Sequence, residues 1–170
     1  MNIVYSTDRL DAWKARPEDI PRVVAIQNHP ENRDKTWRNT EEEFLRLLDD
    51  RDTYVVAYRR KGEQETIGYG ILWWQPFLRS LEFRRFALSV KSRGYGQEIL
   101  KGTMRFAFET LKAHRMWLET YDFNDKAIHL YEKLGFVREG LQRDINRDER
   151  GWLSELLYGV LEDEYAALAK

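Results

Sequence analysis

The chain has 170 residues, 34% of them charged, and a net charge of -1. Its mixed-sign surface lacks the broad basic field that draws in nucleic acid. It has no cysteine, so disulfides, thiolate zinc sites and a cysteine nucleophile are excluded by inventory.

The three histidines, His29, His114 and His129, show no ligand spacing, and no metal site is expected. The length fits one domain over residues 1–170, large enough to bury about two-thirds of its unfolded surface. MNIVYSTDRLDAW lacks the apolar run of a signal peptide, and no window reaches the length of a membrane span. The expectation is a cytoplasmic protein with neither membrane nor nucleic acid as partner. Aromatic residues make up 14%, including six tryptophans, which suits large side chains lining both a core and a groove.

In chain order, Leu10, Ala12 and Trp13 predict a first strand within residues 8–16. Pro17, followed by two acids, opens a helix that buries Ile20, Val23, Val24 and Ile26 and ends near Asn28. HPENRDKTWRN reads as a loop. Thr40 with Glu43 is a capping box, so a second helix runs to about Leu48 with Phe44, Leu45 and Leu48 inward. From Thr53 the period changes: TYVVAYRR and TIGYGILWW, separated by KGEQE, form an antiparallel hairpin. Pro76 breaks the second strand, and Leu81 to Leu88 forms a third. After a glycine turn, a helix over Glu98 to Leu111 carries Leu100, Met104, Ala107, Phe108 and Leu111 on one side. Met116 to Tyr121 is a strand, and Asn124 to Leu134 a helix with Gly135 at its C-cap. FVREGLQRDI and GWLSELLYGVL form a second hairpin, and LEDEYAALAK a helical tail. The strand-helix-strand unit must be a parallel, right-handed crossover. The whole is an α/β fold: a mixed, mostly antiparallel twisted sheet of about seven strands with helices on both faces.

Two constellations carry chemistry. Lys91 to Gly96 reads K-S-R-G-Y-G between a strand and a helix, so free amides of the first helical turn can meet an anion, aided by Lys91 and Arg93. A dinucleotide fingerprint would need glycine or alanine where Ile99 stands, and a P-loop needs the absent Gly-Lys-Ser/Thr. On its own, the turn serves equally as a tight turn that needs glycine. Some thirty residues on, NDKAIHLYEKLGF joins Asn124 at a helix start to Tyr131 within the helix and Gly135-Phe136 at its end.

Together these blocks resemble the GNAT superfamily of acetyl-coenzyme A-dependent N-acetyltransferases, whose pyrophosphate motif is Q/R-x-x-G-x-G/A and whose later block ends in LYEKLGF. Lys91 departs from the usual Gln or Arg. The branch resembled includes ribosomal-protein N-terminal and spermidine acetyltransferases. The resemblance implies that acetyl-coenzyme A binds where the third strand parts from Met116 to Tyr121. Its arm would lie along Phe86, Ala87 and Leu88, with a backbone N–H near Leu88 polarising the acetyl carbonyl. Its pyrophosphate would meet the amides of Arg93, Gly94, Tyr95, Gly96, Gln97 and Glu98, with Asn124 and Ala127 facing the arm.

Tyr131 matches the family tyrosine that protonates the departing thiolate; periodicity alone reads it as core beside Ala127 and Leu134. An amine acceptor needs a base, and Glu82 and Glu119 flank the site, although either also reads as a salt-bridge partner of Arg84 or Arg85. Trp37 and Trp74, with Trp73 and Trp152, are candidates to wall an acceptor groove or simply to pack. A polyamine acceptor would call for acids such as Glu41 to Glu43 or Asp148-Glu149. Two classes follow: an N-acetyltransferase acting on a primary amine through a ternary complex, and an acyl-coenzyme A-binding sensor or interaction module with little catalysis. The C-terminal hairpin, with Leu153, Leu156 and Leu157, offers edge strands for a homodimer.

Overall fold

The computed structural model describes residues 2–168. Its strands are β1 (Ile3–Ser6), β2 (Leu10–Lys14), β3 (Thr53–Arg60), β4 (Thr66–Gln75), β5 (Ser80–Leu88), β6 (Arg115–Tyr121), β7 (Val137–Asp148) and β8 (Gly151–Leu161). They form one sheet in the order β1-β2-β3-β4-β5-β6-β8-β7. Among the described residues only the β5–β6 pair is parallel, joined by the expected crossover through a helix. Helices are α1 (Ile20–Asn28), α2 (Glu41–Asp49), α3 (Tyr95–Arg105), α4 (Asp125–Lys133) and α5 (Glu162–Leu168).

The period-two alternation of the strands feeds two cores. On β3, Val56 and Tyr58 join Ile67, Leu81 and Phe83 beneath α3 and α4, which supply Ile99, Leu100, Met104 and Tyr131. Val55 and Ala57 point the other way, to Ile20, Val23 and Ile26 of α1 and Phe44 of α2. The capping box at the start of α2 is present, with Thr40 Oγ1 accepting from the Glu43 amide and Glu43 accepting from the Thr40 amide. A buried ion pair, Arg59 to Asp19 at 2.6 Å, fastens the lead-in to α1 onto β3.

Two elements differ from expectation. The sheet has eight strands because Ile3–Ser6 forms a short edge strand paired with β2. Tyr5 is fixed there by hydroxyl contacts to Tyr58 (2.9 Å) and Thr103 (2.7 Å). The crossover helix begins at Tyr95 rather than Glu98, because Gly94 is its N-cap, and it widens into a π-helical turn over Phe106–Thr110.

Two features of β5 place the site. Its pairing with β6 covers only Ser80, Leu81 and Glu82 against Arg115, Met116 and Trp117, so the strands part beyond Glu82. Opposite β4, Ile71 pairs with Arg85 and Leu72 with Phe83, leaving Arg84 as the extra residue of a β-bulge. The bulge shifts the pleat by one. Leu81, Phe83, Phe86 and Leu88 therefore all reach the α3–α4 core.

Candidate active site

The parting of β5 and β6 opens a cleft of about 320 Å³. One wall is Phe86, Ala87 and Leu88; the other is Asn124, Ala127, Leu130 and Tyr131 of α4. Lys91, Ser92 and Gly96 close one end and Glu119 and Thr120 the other. At the first end the backbone is shaped for an anion. Ser92 (φ 58) and Gly94 (φ 76) are left-handed, and the first helical bond of α3 runs from the Glu98 amide to the Gly94 carbonyl. The amides of Tyr95, Gly96 and Gln97 thus precede the helical ladder and are free for a ligand. Lys35, Lys91 and Lys126 line the same cleft. Burial and the neighbouring Lys35 and Lys126 hold the Lys91 ammonium below its usual pKa, opposed by Glu31. Lys91 Nζ donates to Asn32 Oδ1, and Asn32 Nδ2 donates to the carbonyls of Ile26 (2.8 Å) and Leu88 (3.0 Å). One buried asparagine therefore ties the α1–α2 loop, the end of β5 and the lysine together.

Tyr131 is set by the LGF that follows it. The Phe136 amide donates to the Tyr131 carbonyl (3.0 Å) and the Gly135 amide to the Glu132 carbonyl (3.1 Å), a Schellman end with Gly135 at φ 89. The rings of Tyr131 and Phe136 meet at 6.0 Å, and Tyr158 packs edge-on to Tyr131 at 5.7 Å. Tyr131 is 5% exposed, and its hydroxyl has no hydrogen-bond partner among the described residues. Burial pushes this phenol well above its ordinary pKa, with a smaller push from Tyr158, so it stays protonated at neutral pH.

Beyond Glu119 the cleft joins a chamber of about 430 Å³ on the α1–α2 face of the sheet. Glu82 (β5), Glu119 (β6) and Glu155 (β8) line it from neighbouring strands. Each carboxylate has its own partner. Arg84 Nε donates to Glu82 (2.9 Å), Gln142 to Glu119, and Asn146 to Glu155 (2.9 Å). A wide bulge in β7 brings the last two together. Gln142 and Asn146 pair with Glu155 and Leu153, two residues apart on β8, so residues 143–145 are looped out between them. Burial, then Glu119 beside it, raises the Glu155 pKa to about 7, against the lowering effects of Asn146 and Arg85. Glu82 is also raised, chiefly by burial and opposed by Arg84.

Across the chain, the acetyltransferase (GNAT) domain family matches residues 7–137. The chain belongs to the GNAT acetyltransferase family. It is 26% identical over 100 residues to the SPbeta prophage-derived uncharacterized N-acetyltransferase YokL of Bacillus subtilis (strain 168), covering 59% of this chain and 49% of that protein. It is 35% identical over 63 residues to the spermidine N(1)-acetyltransferase of Vibrio cholerae serotype O1, covering 36% of each. The chain thus spans about half the length of the first relative and about a third of the second. The dodecameric structure of spermidine N-acetyltransferase from Vibrio cholerae superposes with a TM-score of 0.79 at 18% identity, over 95% of this chain and 99% of that one. At that identity the likeness is one of fold.

In this GNAT chain, the cleft gathers Phe86, Ala87, Leu88, Lys91, Gly96, Asn124, Ala127, Tyr131 and Glu119 from the residues singled out in the sequence. Glu82 lies next door in the chamber. Arg93 and Gly94 are exposed on the turn, and Tyr95 and Gln97 flank Gly96 without lining the cleft. Glu98 turns away. Its amide is spent on Gly94, and its carboxylate binds Thr7 (2.6 Å) and Arg9 (2.6 Å). Trp37 lines the chamber at 49% exposure, whereas Trp74 packs against the core and lines neither space. Among the proposed acceptor-groove tryptophans, Trp152 is 62% exposed on β8. Asn32, Lys35, Lys126 and Glu155 were not legible as site residues. Asn32 and Lys35 belong to a loop with no motif, Lys126 stands inside the NDKAIHLYEKLGF block between the two residues singled out there, and Glu155 reaches the chamber only through the β6–β8 register.

Proposed function

We propose that this acetyltransferase moves an acetyl group from acetyl-coenzyme A to a primary amine by direct attack in a ternary complex. The observation that carries the reading is the meeting of two spaces at Glu119: a cleft ending at free helix amides, and a chamber holding three carboxylates. Bound acetyl-coenzyme A supplies the acetyl group as a thioester. The backbone of Phe86 to Leu88 would hold its arm against Asn124 and Ala127. The amides of Tyr95, Gly96 and Gln97, with Lys91 and Lys126, would hold its pyrophosphate.

An amine near pKa ~10 arrives as an ammonium and must lose a proton before it can attack. Glu82 is ion-paired with Arg84, whereas Glu119 and Glu155 accept from the neutral amides of Gln142 and Asn146, so the Glu119–Glu155 pair is the better base. With Glu155 poised at about 7, the pair can accept a proton near neutral pH. Tyr131 keeps its proton through burial and would donate a hydrogen bond to sulfur as negative charge develops there. In the same dry site a thiolate is also destabilised, so the high phenol pKa does not oppose the transfer. The protein is expected to work in the cytoplasm, as a single unit over residues 1–170 that associates through its β7 edge.

Thiol release from acetyl-coenzyme A in the presence of a panel of amines tests the reading. Tyr131→Phe should lower turnover by ~10²-fold while leaving acetyl-coenzyme A affinity within about twofold. Unchanged turnover would remove the acid role. Cofactor binding without turnover on any amine would instead support a sensor or interaction module.

A further inference from the structure

The chamber holds two arginines from consecutive positions of β5, and they are not equivalent. Arg84, the bulged residue, already has its counter-charge: it pairs with Glu82 at 2.9 Å and stacks over the Trp73 ring at 4.2 Å. Arg85 lines both the cleft and the chamber. Its side chain makes one hydrogen bond, Nη1 to Asn39 Oδ1 at 3.1 Å, and no ion pair with any of the described residues. A half-buried guanidinium with five donors and one neutral acceptor has unused capacity, and its planar fork matches a carboxylate. Burial lowers its pKa, opposed by Tyr69, Glu82 and Glu155. The chamber carboxylates do not fill the gap: among the described residues none of Glu82, Glu119 and Glu155 forms an ion pair or hydrogen bond with Arg85, and they accept instead from Arg84, Gln142 and Asn146.

Further out, past Trp37 and Tyr121, the chamber opens into a bay of about 450 Å³. Arg33, Arg38, Arg147 and Arg150 line it against only Asp34 and Asp148. A second ammonium on a long acceptor would extend into that positive field, whereas an anionic group would be drawn in. We propose that the acceptor is an amine bearing a carboxylate, of the α-amino-acid type, with Arg85 binding the carboxylate while Glu119 and Glu155 receive the amine. This rests on the acetyl-transfer reading and narrows its substrate class away from polyamines.

The test uses matched pairs of an α-amino acid and its decarboxylated amine: phenylalanine with phenethylamine, leucine with isopentylamine, and lysine with cadaverine, with spermidine beside them. Acceptor kcat/KM and calorimetric binding to the full chain are measured for wild type, Arg85→Gln and Arg85→Lys, each first shown to melt like wild type. Within at least one pair the carboxylate should improve kcat/KM by about 10–100-fold, the value of a charge-assisted contact. Arg85→Gln should erase that ratio through acceptor KM, with Arg85→Lys intermediate and the KM for acetyl-coenzyme A unchanged. Equal use of both members in every pair, preference for spermidine, or equal losses on both members in Arg85→Gln would overturn the proposal. Failure of acetyl-coenzyme A to bind would overturn the acetyl-transfer reading instead. Calorimetry of the pairs against wild type and Arg85→Gln would still decide the carboxylate contact.

Discussion

Glu155 is the residue whose chemistry depends most on its neighbours. It faces Glu119 across β6, Arg85 on β5 and Asn146 on β7, and burial together with Glu119 raises its pKa to about 7. If the pair is the base, kcat/KM should rise with pH through about 7 as the shared proton leaves. Glu155→Gln should abolish that limb and lower the plateau by ~10–100-fold; a limb unmoved in the variant would assign it to another group. The same shift fixes the sign for stability. The folded carboxyl holds its proton more tightly than the unfolded one, so its penalty is absent below about 4.5 and grows until pH passes about 7. Melting at pH 5 and pH 8 should therefore show Glu155→Gln gaining on wild type by about 1–2 kcal/mol at the higher pH, after discount for the solvent that reaches the group. Glu82 and Glu119 could be nominated from sequence because they sit on strands beside a recognisable motif. Glu155 could not, since only the antiparallel register of β6 with β8 puts it beside Glu119.

At the scale of elements, the glycines and the bulge carry information that periodicity misses. Gly102 lies inside α3, where glycine costs ~1 kcal/mol relative to alanine. Its reason is β1. A Cβ at this position would come within 2.7 Å of the Thr7 methyl and 2.9 Å of the Tyr5 ring, and Tyr5 is pinned by its bonds to Tyr58 and Thr103. Gly102→Ala should therefore lose stability despite better helix propensity, because overpacking costs ~1–3 kcal/mol. A Tm lower by roughly 2–4 °C is expected by calorimetry, and a higher one would show that the β1 hairpin yields freely. The four residues of β1 are too few for an alternation to be read, and the helix glycine that accommodates them went unread. The bulge at Arg84 also went unread, because Leu81 to Leu88 reads as one regular strand, although the register break leaves a trace in the pattern. Apolar residues alternate at Leu81 and Phe83, then resume out of phase at Phe86 and Leu88. That slip turns Arg85 toward the α1–α2 face and makes it available to the chamber.

For the whole molecule, the sheet order leaves two edges of different kinds. β1 is short, with four residues. β7 has twelve residues, none of them buried, and Val137, Leu141 and Ile145 are each about half exposed, at 49%, 47% and 49%. A long edge strand with open backbone groups and apolar side chains is a pairing surface unless something blunts it, and the charges at Arg138, Glu139, Arg143 and Asp144 do so only in part. The hairpin was legible from its two runs and polar turn. Which of its strands lies outermost was not, because the β8–β6 pairing is a contact between residues some forty positions apart. Pairing through β7 would also bear on chemistry, since its bulge carries Gln142 and Asn146 to the chamber carboxylates. Light scattering behind size exclusion should give a mass that is a multiple of the 20.4 kDa chain. The double variant Val137→Lys with Leu141→Lys, whose side chains lie outside the chamber lining, should shift that mass to a single chain. If pairing also steadies the bulge, acceptor KM should rise in the dissociated variant while acetyl-coenzyme A affinity holds, because no residue of β7 lines the cleft proposed for it. A wild-type mass of one chain at micromolar concentration would leave β7 as a solvated edge and the chamber as the work of one copy alone.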